Sequence, residues 1–79
     1  DKKLIEVIIM KMAMKGDIVK YIGVDGKSVF TRIIDVQRNE FLGIDAVLEI
    51  TRGRKKGEVA SVAFNDIKFN GKFFEVDMR

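Results

Sequence analysis

The chain has 79 residues, a net charge of +3, a hydrophobic share of 47%, and neither histidine nor cysteine. This length supports one hydrophobic core, so we expect a single domain spanning residues 1–79. Without histidine and cysteine, one chain can form neither the Ser-His-Asp and Cys-His catalytic arrangements nor the common zinc sites. We therefore expect a protein that is not an enzyme and that uses no metal and no cofactor.

The apolar residues predict no membrane span. The earliest apolar stretch, residues 4–14, is interrupted by Glu6 and Lys11 and is shorter than the roughly 20 residues that a membrane helix needs. We expect a cytoplasmic protein without membrane association. A small domain has little interior, so its high hydrophobic share indicates that some apolar surface meets another subunit.

The first segment, residues 1–15, fits two structures. Its apolar residues share a face at helical spacing, but several are β-branched and favour strands. The face consists of Leu4, Ile5, Ile8, Ile9 and Met12. Lys15 followed by Gly16 is typical of a helix end, because a cation stabilises the carbonyl end and glycine tolerates a left-handed conformation. We predict a helix, with a strand as the alternative.

Beyond this segment, Gly, Asn and Asp residues divide the chain into short pieces that read as β-strands. We predict strands at residues 17–22, 27–37, 41–51, 58–64, 67–69 and 72–78. Asp25-Gly26 indicates a turn before the second strand. Asn70-Gly71 tolerates the positive φ angles of a type I′ turn and indicates a hairpin between the last two. This spacing predicts a mainly β protein folded as a compact barrel.

The sequences of the third and fourth predicted strands indicate which of their faces are buried. The third alternates cleanly, and one face carries Leu42, Ile44, Ala46, Leu48 and Ile50. The fourth suits a strand buried on both sides, because it is apolar at Val59, Ala60, Val62 and Phe64.

Phe73 and Phe74 are neighbours on the last predicted strand. Successive side chains of a strand point to opposite faces, so one ring points away from the core. That ring could stack on a base or pack against a partner subunit.

The positive charge is local. Four cations in and beside the turn at residues 53–57, namely Arg52, Arg54, Lys55 and Lys56, contribute +4 to a net charge of +3. Such a cluster attracts phosphates or other polyanions, although a solvated hairpin tip is the alternative interpretation.

Asp45 and Glu49 are the carboxylates that an enzyme could use, because they share one face of the third strand. At about 3.4 Å per residue they stand roughly 13 Å apart, beyond either spacing found in glycosidases. Surface carboxylates that balance lysines are the alternative, and catalysis would need two acids converging with a metal.

The order of several motifs resembles the first Sm motif of Sm, LSm and Hfq-type proteins. The matching pieces are Asp25-Gly26-Lys27, Ile34-Asp35-Val36-Gln37-Arg38-Asn39, Asp45-Ala46 and Glu49. The resemblance implies a small, strongly bent, five-stranded SH3-like or Sm-like barrel with an N-terminal helix, here with an extra C-terminal strand. It also implies that Asp35 and Asn39, four residues apart, form the loop that receives a base.

The second Sm motif differs from the family pattern. Where the family commonly shows Ile-Arg-Gly, this chain has residues 62–67, Val-Ala-Phe-Asn-Asp-Ile, without the arginine that would sandwich a base. Asn65 would supply amide contacts in its place. The resemblance implies a closed homo-oligomeric ring with Asp35, Asn39 and Asn65 lining the pore, and with Arg52, Arg54, Lys55 and Lys56 holding phosphates of single-stranded RNA on one face.

A second hypothesis belongs to a different class. An SH3-like protein-interaction or assembly module, viral or part of a larger complex, would have no nucleic-acid role. In that case the basic turn would only keep the protein soluble.

Overall fold

The computed structural model describes residues 12–79, which form six strands and one short 3₁₀ turn. The elements in chain order are β1 (Ile18–Ile22), β2 (Ser28–Arg38), β3 (Ile44–Ile50), β4 (Val59–Ala63), the 3₁₀ turn (Phe64–Asp66), β5 (Lys68–Phe69) and β6 (Phe74–Asp77). No α-helix occurs in this part of the chain. Most of the predicted N-terminal helix, residues 1–11, lies outside the described residues, and its last residues, 12–15, lie in a loop and the start of a turn.

The strands form one mixed sheet in the order β4-β3-β2-β1-β6-β5. All neighbouring pairs are antiparallel except β1 and β6, which are parallel. A mainly β protein is therefore confirmed, but the sheet is not closed, so the prediction of a compact barrel is wrong. The two outermost strands, β4 and β5, would have to pair to close it, and β5 has only two residues.

Each predicted strand is present, with shorter bounds in most cases. The third begins at Ile44 rather than at residue 41, because residues 39–43 form a loop. The prediction that the fourth strand is buried on both sides is wrong. As an outermost strand, β4 has one buried residue, Val62, and Val59 is 58% exposed.

The core lies against one face of the sheet, called here the inner face. Its buried hydrophobic residues are Ala13, Val19, Ile33, Ala46, Leu48, Val62 and Val76. Phe64 and Ile67 pack against this core from the chain that connects β4 to β5. The buried hydroxyl of Thr31 donates a hydrogen bond to the Val19 carbonyl oxygen at 2.8 Å, so its polar group is satisfied.

The hairpin between β5 and β6 confirms the turn predicted at Asn70-Gly71, but its geometry is different. The Asn70 side-chain oxygen accepts hydrogen bonds from the backbone N–H groups of Lys72 and Phe73. Of the two turn residues, Gly71 alone has a positive φ, 101°, whereas a type I′ turn needs a positive φ at both. The connection is therefore an Asn-stabilised loop of four residues between the two strands.

Candidate nucleic-acid interface

The side of the sheet opposite the core, called here the outer face, carries an aromatic pair. On β2 the buried Thr31 and Ile33 point inward, so Phe30 and Arg32 point outward. Phe74 packs against the core, whereas the ring of Phe73 contacts Phe30. The prediction that one of the two neighbouring phenylalanines points away from the core is confirmed.

The aromatic pair is bordered by a lysine. The Phe30 and Phe73 ring centroids are 6.4 Å apart and their planes cross at 77°, an edge-to-face arrangement. The Lys20 ammonium lies 5.5 Å from the Phe73 centroid, within the range of a cation–π contact. Phe30 remains 44% exposed.

An open depression of about 240 Å³ leads from Phe30 towards the basic residues. It is lined by Ile18, Phe30, Thr51 and Arg52. Thr51 is fixed there because both its N–H group, at 3.2 Å, and its hydroxyl, at 3.1 Å, donate hydrogen bonds to the Phe30 carbonyl oxygen. Arg52, the next residue, is the second residue of the β3–β4 connection and lines the same depression as Phe30.

The β3–β4 connection carries the basic cluster, Arg52, Arg54, Lys55 and Lys56, called here the basic loop. Its base is closed by two backbone hydrogen bonds, from the Ile50 N–H to the Glu58 carbonyl oxygen and from the Gly57 N–H to the Ile50 carbonyl oxygen. The four cationic side chains are exposed, and among residues 12–79 none of them forms an ion pair. They are therefore available to an external anion.

Asp35, predicted to receive a base, lies where β2 is irregular. The register between β2 and β3 shifts between Ile33 and Asp35, and such a bulge redirects the side chains that follow it. The carboxylate accepts hydrogen bonds from the Gln37 side chain at 2.7 Å and from the Val36 N–H at 2.9 Å. These two bonds, the Gln37 bond first, lower the pKa of Asp35, so the group is held in its charged form.

Asn39, the second predicted base-receiving residue, organises the loop between β2 and β3. Its side-chain oxygen accepts hydrogen bonds from the N–H groups of Phe41 and Gly43, both at 2.9 Å, and its amide donates to Asp45 at 3.1 Å. A side chain at Gly43 would come within 2.8 Å of this amide, so the glycine leaves room for it. Contact between Asn39 and a base therefore stays a prediction. The structure shows in addition that the Asn39 side chain closes the β2–β3 loop by hydrogen bonds.

The same loop exposes two large apolar side chains. Phe41 is 83% exposed and Leu42 is 97% exposed. Leu42 has a φ of 62°, a conformation that is uncommon for a bulky residue. The alternation of the sequence predicted Leu42 on the apolar face of the third strand, and that prediction is wrong.

The predicted RNA-binding residues fall into two groups at the two ends of β3, except for Asp35, which lies between them opposite Val47. Asn39 bonds to Asp45, which pairs with Ala63 at the end of β4, so Asn39 and the exposed Asn65 lie at one end of β3. The basic loop follows the other end. Seven strand residues separate the ends by roughly 20 Å, so the structure does not bring the two groups together within one subunit.

Asp45 and Glu49, the carboxylates considered for catalysis, belong to no candidate metal site in the described residues. Within residues 12–79, no group of three or more His, Cys, Asp and Glu residues could hold a metal ion. Asp45 accepts the hydrogen bond from Asn39, and Glu49 lies opposite Arg32 in the sheet register.

Phe30 is the feature that sequence reasoning missed. Successive side chains of a strand alternate, so the sequence of residues 27–37 indicates that Phe30 and Arg32 share a face. Only the strand order reveals that Lys20 and Phe73 lie beside them, because these residues come from β1 and from the chain before β6.

Comparison of the chain with protein-family models, curated proteins and solved structures found no match. Across the described part of the chain, no helix is both long enough and apolar enough to cross a membrane. The family resemblance therefore still rests on the motifs around Asp35 and Asn39.

Proposed function

We propose that the protein is a non-enzymatic Sm-like domain that assembles as a closed ring of identical subunits and binds single-stranded RNA. The observation that carries RNA binding is the basic loop. Four exposed cations within five residues, free of ion pairs within residues 12–79, create a local positive potential. Phosphate groups of an RNA backbone are the polyanion that such a loop suits.

The assembly part of the proposal is supported by β4. This outermost strand presents an uncharged edge of five residues, Val59–Ala63, and an unprotected edge favours pairing with another chain. In a ring, Asp35, Asn39 and Asn65 would line the pore and the basic loop would project from one face.

RNA binding is tested by fluorescence anisotropy with labelled U-rich and A-rich single strands. We expect binding at micromolar protein that weakens as salt rises. The double variant Lys55→Gln/Lys56→Gln should bind more weakly, and the slope of log K against log salt should fall by about 1.4, because each lost contact with a single strand removes about 0.7.

The matched control is Lys68→Gln/Lys72→Gln, which removes the same charge from exposed positions on β5 and the β5–β6 hairpin. It should keep most of the affinity and the original slope. No binding by the unaltered protein, or equal losses in both double variants, would contradict the proposal.

A protein-interaction module is the second candidate, and the β2–β3 loop favours it. Phe41 and Leu42 are exposed at 83% and 97% on a loop held by hydrogen bonds, and exposed apolar residues of this kind suit an apolar pocket of another protein. This function requires no cations. The same anisotropy titration separates the candidates, because the second predicts no RNA binding.

A further inference from the structure

Phe30 has an exposed ring that the core does not require. It lies on the outer face of β2 and remains 44% exposed, while its neighbours Thr31 and Ile33 are almost fully buried. Its strand position is rigid, because β2 is paired with β1 on one side and with β3 on the other. The Phe30 ring is therefore a flat apolar surface held on a strand that is paired on both sides.

The neighbouring ring holds Phe30 in place. Phe73 meets Phe30 edge to face, and Lys20 lies over the Phe73 ring at 5.5 Å from its centroid. Lys20 is also the register partner of Phe30 on β1, so both residues border the Phe30 side chain. Of the two rings, Phe30 is the one that remains largely exposed, and so it is the better stacking surface.

The charges around Phe30 suit a nucleotide. Lys20, Arg32 and Arg52 surround the ring and its depression, while Glu75 and Glu49 lie opposite Lys20 and Arg32 in the register. None of these five groups forms an ion pair within residues 12–79. Arg52 belongs to the basic loop and lines the same depression as Phe30, so a base and its phosphate can be bound side by side.

We propose that Phe30 is a stacking site for one unpaired base of the RNA strand whose phosphates contact the basic loop. This inference rests on the proposed RNA binding and adds the ligand class, an unstacked nucleobase, and its place on the outer face. It differs from the pore residues Asp35 and Asn39. Stacking accepts every base, because each has a π-face, so the site provides affinity with little sequence preference.

The direct test is the variant Phe30→Trp. The chain contains one tyrosine and no tryptophan, so the new indole can be excited selectively at wavelengths that Tyr21 does not absorb, and its emission should be quenched when an oligouridine strand binds. Binding should be as tight as that of the unaltered protein or tighter. An oligonucleotide of the same length with abasic sites should cause little quenching.

The second test is Phe30→Ala, with Phe30→Tyr as the variant that keeps the ring. The alanine variant should lose about 5- to 150-fold in affinity, the range for one stacked base, and the tyrosine variant should keep it. The salt slope should not change in either, since no charge is removed. Circular dichroism and thermal unfolding establish that each variant is folded.

The outcomes separate the two proposals. If RNA binds, but Phe30→Trp is not quenched and Phe30→Ala binds normally, the stacking site is wrong and RNA binding by the basic loop stands. If the unaltered protein binds no RNA, the proposed function fails and the stacking site fails with it.

Discussion

The amide of Asn39 explains a local failure of the alternation pattern. Apolar residues continue at every second position back to Leu42, which predicts that the third strand begins near residue 41. Instead, the side-chain oxygen of Asn39 accepts hydrogen bonds from the backbone N–H groups of Phe41 and Gly43, and these bonds close a loop. Asn favours such loops because its side chain can accept a hydrogen bond from the backbone about two residues further on, but the alternating apolar residues favour a strand.

Replacement of Asn39 with Ala should destabilise the fold by about 1–2 kcal/mol, because three partly exposed hydrogen bonds are lost, each with a modest net contribution. Chemical denaturation measures the difference. Asn65→Ala is the matched control. The exposed side chain of Asn65 makes no hydrogen bond within residues 12–79, so its loss should change stability by less than about 0.5 kcal/mol. Equal effects would contradict the loop role of Asn39.

Asp77 provides a prediction for pH. The Arg79 side chain, and then its backbone N–H, donate hydrogen bonds to this carboxylate and lower its pKa from 3.8 to about 2. Because the pKa of Asp77 is lower in the folded protein than in the unfolded chain, its ion pair stabilises the fold fully at pH values above the unfolded-state pKa. This stabilisation is lost as the pH falls through about 2. Both groups are exposed at the chain end, so the effect on overall stability is small and weakened by salt.

NMR titration of the Asp77 carboxyl group measures this shift. In Arg79→Gln the pKa should rise towards 3.8, whereas in Lys72→Gln, an exposed residue of the β5–β6 hairpin, it should stay near 2. An unchanged titration midpoint in Arg79→Gln would show that the ion pair does not form in solution.

The strands themselves were predictable, because their sequence signals are local. All six follow from turn residues and alternation, and the bounds differ by at most three residues. Local sequence signals do not indicate which strands pair with each other. The hairpin of β5 and β6 could lie at either edge, and only the packing of Val76 and Phe74 beside Val19 on the inner face places β6 parallel to β1.

The same reasoning explains the error for β4. Its sequence, Val59–Ala63, is apolar enough for an internal strand, but strand order makes it an edge. Neither Lys nor Pro protects this edge, and for that reason we expect it to pair with a second chain. Asn39 and Asn65 lie near one end of β3 and the basic loop follows the other end, a separation that spacing along the chain does not reveal.

At the scale of the whole molecule, the open sheet predicts self-association through β4. Light scattering after size exclusion should give a mass several times the 9.0 kDa of one chain. Ser61→Lys places a charge in the middle of the exposed edge and should shift the protein to monomer, because charged edge residues oppose strand pairing. Ser28→Lys makes the same change at an exposed position of β2, which is already paired with Ile22 of β1, and should leave the mass unchanged. A monomeric unaltered protein would refute the ring and leave RNA binding to be judged on the basic loop alone.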